Sequence, residues 1–537
     1  MAGGGVWLRG AAAGLVLSLC LVVSCRAGKL LVIPADGSHW TGMKPLVEEL
    51  GRRGNQVVVV IPEVSGSLGP SEHTITLTYP VPYTRTQLQT IQRANLDTIM
   101  ASDTSNDISR MWSYYQTLTV LRNYTRNNCD SLLSNQDMMQ TLREQAFDAI
   151  LTDPFEPLGV IVGALLSLPA IYIQNGLPCG TDLEASQCPS PPSYTPGRFT
   201  HFTDHMTLRQ RSVNFLWALL RPLACRYLYL CTLMFARFDK LTSRYLEKDI
   251  TYRELLGDGA IWLLRYDYSF EYPKPRMPNM VNIGGINCGK RAPLPPDLQE
   301  FVDESGEDGF VVFTLGSLVS QMPEERAKQF FDAFSRIPQR VVWRYTGVVP
   351  ENAPANVRVM KWLPQNDLLG HPKVKAFITH GGTHGIYEGI CNGVPMVMLP
   401  LFGDQDDNVH RMAVRGVGEV LSVFDVTSDK LVEALNKVIN DKSYKEKMLK
   451  LSTVHKDRPI EPLDLAVFWT EFVMRHGGAN HLRPAAHDLN WIQYHSLDVF
   501  ALLLTIVLTV VMVTVKCCKV CFRKCCGMIW TMKMKSE

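Results

Sequence analysis

The chain has almost no net charge. Its 54 lysines and arginines stand against 52 acidic residues, a formal balance of +2, so it presents no basic field to a nucleic-acid backbone. It also lacks a disulfide framework, although it holds 14 cysteines. Cys20 and Cys25 fall in an N-terminal leader, and Cys517, Cys518, Cys521, Cys525 and Cys526 in a C-terminal tail. The others, Cys129, Cys179, Cys188, Cys225, Cys231, Cys288 and Cys391, are an odd number spread over a large body. That leaves room for a pair such as Cys179 with Cys188 but implies no scaffold of bridges. Cys518-x-x-Cys521 has no second ligand pair at zinc-finger spacing, so no metal is assigned.

Long uncharged apolar runs are scarce, and the two present lie at the ends. Arg9 precedes the run 11–23, and small residues near 25–27 suit cleavage, so residues 1–27 read as a secretory leader. The run 499–515 has 17 uncharged residues, near the lower limit for crossing a bilayer. Lys516, Lys519, Arg523, Lys524, Lys533 and Lys535 follow it, whereas Asp498 precedes it, which predicts a cytosolic tail at 516–537 and a lumenal body. The terminal "KMKSE" places lysines third and fifth from the end, resembling a dilysine retrieval signal of the endoplasmic reticulum; a solvated basic tail is the plainer reading. A third stretch, 214–235, is nearly as apolar, but Arg221, Pro222 and Arg226 interrupt it. It is expected to be a helix pair that lines an apolar pocket or lies on the membrane, not a second span.

At 537 residues the chain is too long for one core, and two domains are the default. "KLLVIPADGSHW", a helix expected at 44–53 and "NQVVVVIPE" form a β-loop-α-β unit whose strands are apolar throughout, the mark of a parallel sheet covered on both faces. "FDAILTD" and "PAIYIQ" extend that sheet. A stretch rich in Pro, Gly and Asn, 273–296, reads as the crossing. A second strand series then begins with "GFVVFTLGS", "RVVWRY", "KVKAFITH" and "VPMVMLP". The expectation is α/β: two doubly wound domains facing a cleft, with ligands at the carboxyl ends of the strands. Domains are placed at 28–285 and 306–450, with a linker at 286–305 and a helical, membrane-proximal segment at 451–498.

The stretch "FITHGGTHGIYEGICNGVPMVMLPLFGDQDDN" carries the chemistry of the second domain. His380 ends a strand, and "GGTHG" opens a helix expected to stop at Asn392-Gly393. The backbone N–H groups of Gly382, Thr383 and His384 can approach an anion at the positive end of that helix, which forms a diphosphate cradle without a P-loop lysine. Glu388 lies where a carboxylate can accept hydrogen bonds from ribose hydroxyls. Upstream, Trp362 can stack on a base and Gln365 can bond its edge or the ribose. Asp404 and Gln405 follow the next strand and reach the same rim, suited to sugar hydroxyls.

Taken jointly, Trp-x-x-Gln, His-x-Gly, Glu eight residues after the His, and Asp-Gln match the signature of nucleotide-sugar-dependent glycosyltransferases over 44 residues. The chain resembles the membrane-bound UDP-glucuronosyltransferases of the endoplasmic reticulum, most of all the bilirubin- and phenol-conjugating subfamily. The resemblance extends to "DGSHW", "LTDPF", "PNMVNIGGINC", "VVFTLGS", "HKDRPIEPLDLAVFWTEFVMRH" and "HLRPAAHDLNWIQYHSLDV". It implies a GT-B architecture, an N-terminal acceptor domain, a C-terminal UDP-sugar domain, and inversion to a β-glucuronide. UDP-glucuronate is then a co-substrate, with no cofactor or metal. Partners are the bilayer, small lipophilic acceptors such as phenols, steroids or bilirubin, and a second copy or a related transferase in a dimer.

Carried over residue by residue, the catalytic base falls on His39 and its partner acid on Asp153. An acceptor hydroxyl must lose its proton as it attacks the sugar, and an imidazole titrating near 6.5 suits that task. His380, the helix N-terminus and Ser317 would meet the charge on departing UDP. The glucuronate carboxylate calls for a cation or donors, for which Arg265, His384 and Arg344 are candidates. Asp406 departs from the family pattern, and a charge there would repel that carboxylate if it pointed inward. Asn123-Tyr-Thr is the chain's single glycosylation sequon. Two other readings are a transferase using UDP-glucose, UDP-xylose or UDP-N-acetylglucosamine, and a non-catalytic lipophile-binding or dimerisation partner; the intact His39, Asp153, His380 and Asp404-Gln405 oppose the latter.

Overall fold

The computed structural model describes residues 27–101, 107–227, 231–289 and 291–533. Residues 1–26 of the expected leader and 534–537 of the terminal "KMKSE" lie outside the described residues. Two parallel sheets organise the body. The first contains β1 (Lys29–Ile33), β2 (Gln56–Pro62), β3 (Ile75–Tyr79), β4 (Ala149–Thr152), β5 (Ala170–Gln174), β6 (Ile261–Leu264) and β7 (Met280–Asn282), in the order β3-β2-β1-β4-β5-β6-β7. The second contains β8 (Phe310–Thr314), β9 (Arg340–Arg344), β10 (Val357–Met360), β11 (Val374–Thr379), β12 (Met396–Met398) and β13 (Gly418–Val420), in the order β10-β9-β8-β11-β12-β13. This is the doubly wound α/β arrangement expected from the uninterrupted apolar strands.

Alternation within each strand explains why both faces are apolar. Leu31, Ile33, Val58 and Val60 pack with Leu158, Ile161 and Val162 of the Pro157–Leu165 helix. Leu30, Val32, Val57 and Val59 face Met43, Leu46 and Val47 of the Ser38–Arg52 helix. In the second sheet Phe313 and Trp343 stack with ring centroids 4.9 Å apart beneath Phe330 and Phe334 of the Glu324–Phe334 helix. The chain then returns to the first half: Ala466, Val467, Val473 and Met474 of the Pro462–His476 helix join the core under β1 and β2.

Residues through Leu482 make one compact unit, and Arg483–Glu537 make a second. The second contains the Leu497–Lys533 helix, whose Leu497–Cys526 portion is, among the described residues, the one helix long and apolar enough to cross a membrane. The stretch 214–235 instead lies across two separate helices, Leu208–Tyr227 and Cys231–Leu246. Phe215, Leu216, Leu219, Leu220 and Leu223 of the first are exposed.

Two expectations need correction. Cys179 bonds Cys225, near the end of the Leu208–Tyr227 helix, and not Cys188, which is buried with its thiol directed to the Pro275 carbonyl. A second bridge joins Cys288 to Cys391. The first helix starts at Ser38 and not at 44, and runs through Pro45. Proline has no N–H for the carbonyl four residues earlier, so the Thr41 carbonyl is left open. Asn287, after β7, supplies the missing donor: its Nδ2 lies 3.2 Å from Thr41 O.

This exchange generates a test. Asn287→Ala should lower stability by about 1–2 kcal/mol, because a partly buried carbonyl loses its donor. Pro45→Ala in that background should restore most of the loss by returning the helical N–H, which thermal unfolding of the four members of the double-mutant cycle would read. Additive effects would show that the Asn287 bond does not substitute for the proline's missing donor.

Candidate active site

Parallel pairing brings the two halves of the first cluster together. β1 and β4 are neighbours with Ile33 opposite Thr152, so the residues after them leave the sheet at one edge. Asp153 follows β4 directly, and His39 occupies the first turn of the helix after β1. His39 Nδ1 lies 2.6 Å from Asp153 Oδ2. Asp153 is held in turn by the Phe155 N–H, 2.9 Å from Oδ1, and the Phe155 ring stacks on the imidazole at 4.7 Å. The acid side chain is 3% exposed and the histidine 30%, so one is fixed and the other faces the cleft. An ionised carboxylate only accepts, which assigns the proton to Nδ1 and leaves the Nε2 lone pair free.

Electrostatics around this pair oppose one another. Burial pushes the imidazole down and the Arg265 charge adds to that, but the Asp153 charge and hydrogen bond outweigh them, and the net displacement is upward from 6.5. Nearby Glu156 is half-buried, and burial followed by the Asp36 charge pushes its carboxyl up to about 8. Asp36 itself accepts from the N–H groups of Gly37, Gly66 and Ser67 and, at 3.2 Å, from the Tyr124 hydroxyl.

The second cluster is built around the Thr383–Asn392 helix, which ends at Gly393 as expected. His380 follows β11, and its ring is packed so closely between Gly316 and Gly382 that a Cβ at either would lie 2.5 Å from Nε2. Burial drives this imidazole down to about 4. His384 is driven to about 3, by burial first and then by the Arg265 and His380 charges. Both are therefore neutral near pH 7 and offer hydrogen bonds, not positive charge.

Gln365 and Glu388 meet: Nε2 donates to Oε2 at 2.5 Å. Burial pushes the Glu388 carboxyl up to about 7 against that hydrogen bond. Trp362 is 60% exposed, with the Arg344 guanidinium 5.1 Å over its ring. Asp404 accepts from the Thr383 hydroxyl at 2.9 Å and from Asn408 Nδ2 at 3.1 Å. Gln405 turns its carbonyl oxygen into its own loop, bonding Leu401 N and Phe402 N at 2.8 and 3.1 Å, so its amide NH2 is what remains for a ligand.

Arginines sort themselves clearly. Arg344 donates to the carbonyls of Gly316, Ser317 and Val319 and so shapes the Ser317 loop. Arg265 is buried, donates from Nε to Asn175 Oδ1 at 2.6 Å, and crosses the first helix at Gly42, where any Cβ would collide with its guanidinium. Its charge acts on Asp153 and Asp404 alike, one from each half. Arg198 is a residue that the sequence reading missed. Its Nη2 lies 2.8 Å from where a Cβ on Gly176 would stand, beside the same turn that holds Arg265, and Asp404 and Asp407 act on it. The signal was present: Arg198 is the one fixed charge in "PSPPSYTPGRFTHFT".

This segment also bridges the halves, with Phe199 N donating to Asp407 Oδ1 at 2.9 Å and His201 meeting Asp406. Asp406 is thus paired with a histidine of the first half. Asn123 is exposed on the Asp107–Leu133 helix.

Known proteins place the whole chain in one family and one architecture. The profile of the family described as "UDP-glucoronosyl and UDP-glucosyl transferase" matches residues 28–532. UDP-glucuronosyltransferase 1A5 of Rattus norvegicus is 50% identical over 96% of this chain and 96% of its own length. UDP-glucuronosyltransferases 1A6 and 1A1 of Homo sapiens are 51% and 48% identical, over 93% and 96% of this chain and 92% and 95% of theirs. Among solved structures, the calicheamicin glycosyltransferase CalG4 superposes with a TM-score of 0.55 at 17% identity, covering 84% of this chain and 99% of that one. Arabidopsis thaliana UGT89C1 complexed with UDP-L-rhamnose gives 0.53 at 17% identity over 84% and 100%. These likenesses identify the two-sheet architecture as GT-B, and, with a family match over nearly the whole length and relatives at about half identity, the chain belongs to the UDP-glucuronosyl and UDP-glucosyl transferases.

Proposed function

We propose that the protein is an inverting UDP-glucuronosyltransferase, moving glucuronate from UDP-glucuronate to hydroxyl, amine or carboxyl groups of small lipophilic acceptors such as phenols, steroids or bilirubin. The observation that carries this reading is the His39–Asp153 bond of 2.6 Å at the edge of the first sheet. His39 Nε2 takes the acceptor proton as the acceptor oxygen attacks C1 of the sugar. Asp153 holds the Nδ1 proton and stabilises the imidazolium that forms. UDP leaves from the opposite face, and its growing charge is met by the N-terminal amides of the Thr383–Asn392 helix and by His380 as a neutral N–H donor. Trp362, Gln365 and Glu388 take the uridine, while Asp404 and the Gln405 amide take sugar hydroxyls. Arg265 and Arg198 together meet the carboxylate that distinguishes glucuronate from glucose.

The same reading gives the protein a single-pass place in the endoplasmic reticulum membrane, with its body lumenal and a short cytosolic tail. Exposed leucines on the Leu208–Tyr227 helix support an acceptor supply drawn from the bilayer. Dimerisation with a second copy or a related transferase is part of this proposal.

Product mass spectrometry on permeabilised microsomes, with a simple phenol and equal UDP-glucuronate, UDP-glucose and UDP-N-acetylglucosamine, is expected to give chiefly the glucuronide. His39→Ala should lower its formation by about two to four orders of magnitude with UDP affinity retained. A dominant hexoside would move the donor assignment, and a parallel loss of UDP affinity would refute the base role.

Donor choice tests the arginines separately. Losing a charge-assisted hydrogen bond costs about 1.5–3 kcal/mol, so Arg198→Gln should cut kcat/KM for UDP-glucuronate by about tenfold or more and leave UDP-glucose unaffected. Equal loss with both donors would make Arg198 structural.

The base must be neutral to act, so activity should fall as pH drops through a value above the usual 6.5 of histidine, the direction in which Asp153 moves His39. Asp153→Asn should shift that acid limb to lower pH while depressing the maximum, with Arg265, Glu156 and Asp36 still surrounding the ring. A limb that stays in place would assign the titration to another group, Glu156 first.

A further inference from the structure

The function described leaves one buried cluster unused. Cys288 lies just beyond β7, Cys391 near the end of the Thr383–Asn392 helix, and His455 near the end of the Lys442–Lys456 helix. Their two sulfurs and the nearest imidazole nitrogen all lie within 4.8 Å of one another. His455 is 1% exposed, and its Nε2 is buried without a hydrogen-bond partner. A buried polar atom left open is costly and calls for a reason.

We infer that Cys288, Cys391 and His455 form a binding site for a soft divalent metal ion of the zinc type, available when the Cys288–Cys391 disulfide is reduced. Two thiolates and an imidazole are a zinc ligand set, and a water can complete the tetrahedron. Groups that would orient the imidazole are also in place. His455 Nδ1 lies 3.2 Å from Asp267 Oδ1 and 3.1 Å from Ser269 Oγ. A carboxylate on Nδ1 fixes the proton there and aims the Nε2 lone pair at the sulfurs, the arrangement that orients metal-bound histidines. Room is kept by Gly285, with φ +86: a Cβ there would lie 2.5 Å from Nε2 and 3.5 Å from Cys288 Sγ.

The chemistry closes without further reagents beyond one dithiol. A dithiol reductant delivers two electrons and two protons, becomes a disulfide itself, and leaves Cys288 and Cys391 as thiols. Metal binding then releases the two thiol protons as metal–sulfur bonds form. The disulfide ties the interdomain segment to the helix that carries Glu388; the metal would add the Lys442–Lys456 helix to the same knot.

The test uses the full-length protein in detergent micelles, with the five tail cysteines at 517, 518, 521, 525 and 526 changed to serine so that they do not compete. After reduction with a phosphine and removal of excess reagent, cobalt(II) is titrated in. One equivalent should give thiolate-to-cobalt charge-transfer absorption with tetrahedral visible bands. Cys288→Ser and Cys391→Ser should abolish it, and His455→Ala should weaken cobalt affinity by about tenfold or more. Zinc-edge X-ray absorption on the zinc-loaded parent needs no variant at these three positions and should show two sulfurs at about 2.3 Å and at least one nitrogen at about 2.0 Å. Absence of the charge-transfer band, a band indifferent to His455→Ala, or a zinc shell without sulfur would overturn the inference.

Discussion

Much of the molecule is arranged so that one imidazole keeps its proton on one side. The His39–Asp153 bond requires two strands whose paired residues, such as Ile33 and Thr152, are 119 positions apart in the chain to run parallel and in register. Register is secured from within: Thr152 Oγ1 donates to the Ile33 carbonyl at 2.7 Å, one residue before the acid. A one-residue shift would also exchange the side chains packed in the two apolar clusters on either face of the sheet. Core packing thus determines the tautomer of a group at the edge of the core.

Burial then sets the protonation of the histidines around the cleft, in opposite ways. His39, paired with a carboxylate, is raised, whereas His380 and His384, buried beside arginine charge, are driven to about 4 and about 3. The cleft therefore holds a ring ready to gain a proton next to rings that will not. Paired carboxylate and bare burial thus move three like side chains in opposite directions. Arginine placement follows the same logic. Arg344 is tied to three carbonyls, whereas Arg265 lies between the halves, near acids of both.

The strands that could be read from the sequence were those with unbroken apolar runs covered on both faces. β3 escaped notice because Ile75 is exposed at the sheet edge and threonines alternate with its apolar residues. β6, "IWLL", is only four residues long, too short for its apolar run to stand out. The helix begins earlier than the expected 44 and accommodates Pro45 with a donor from Asn287, a contact no local pattern encodes. The same division holds in the site. His380 and Glu388 could be named from motif spacing, and His39 and Asp153 from the family resemblance, but the inward turn of the Gln405 oxygen and the Gln365–Glu388 bond are products of packing. Cysteine pairing was illegible for a related reason: Cys179 finds Cys225 across 46 residues and Cys288 finds Cys391 across 103.

The exposed leucines of the Leu208–Tyr227 helix bear on how the protein behaves outside a membrane. Phe215, Leu216, Leu219, Leu220 and Leu223 belong to the unit that ends at Leu482 and not to the C-terminal helix. A chain cut after Leu482 would lose the long apolar C-terminal helix but keep this patch, and apolar surface of that kind favours self-association in water. Solubilising the body consequently takes more than truncation; it takes polar replacements along that helix or an amphiphile to cover it.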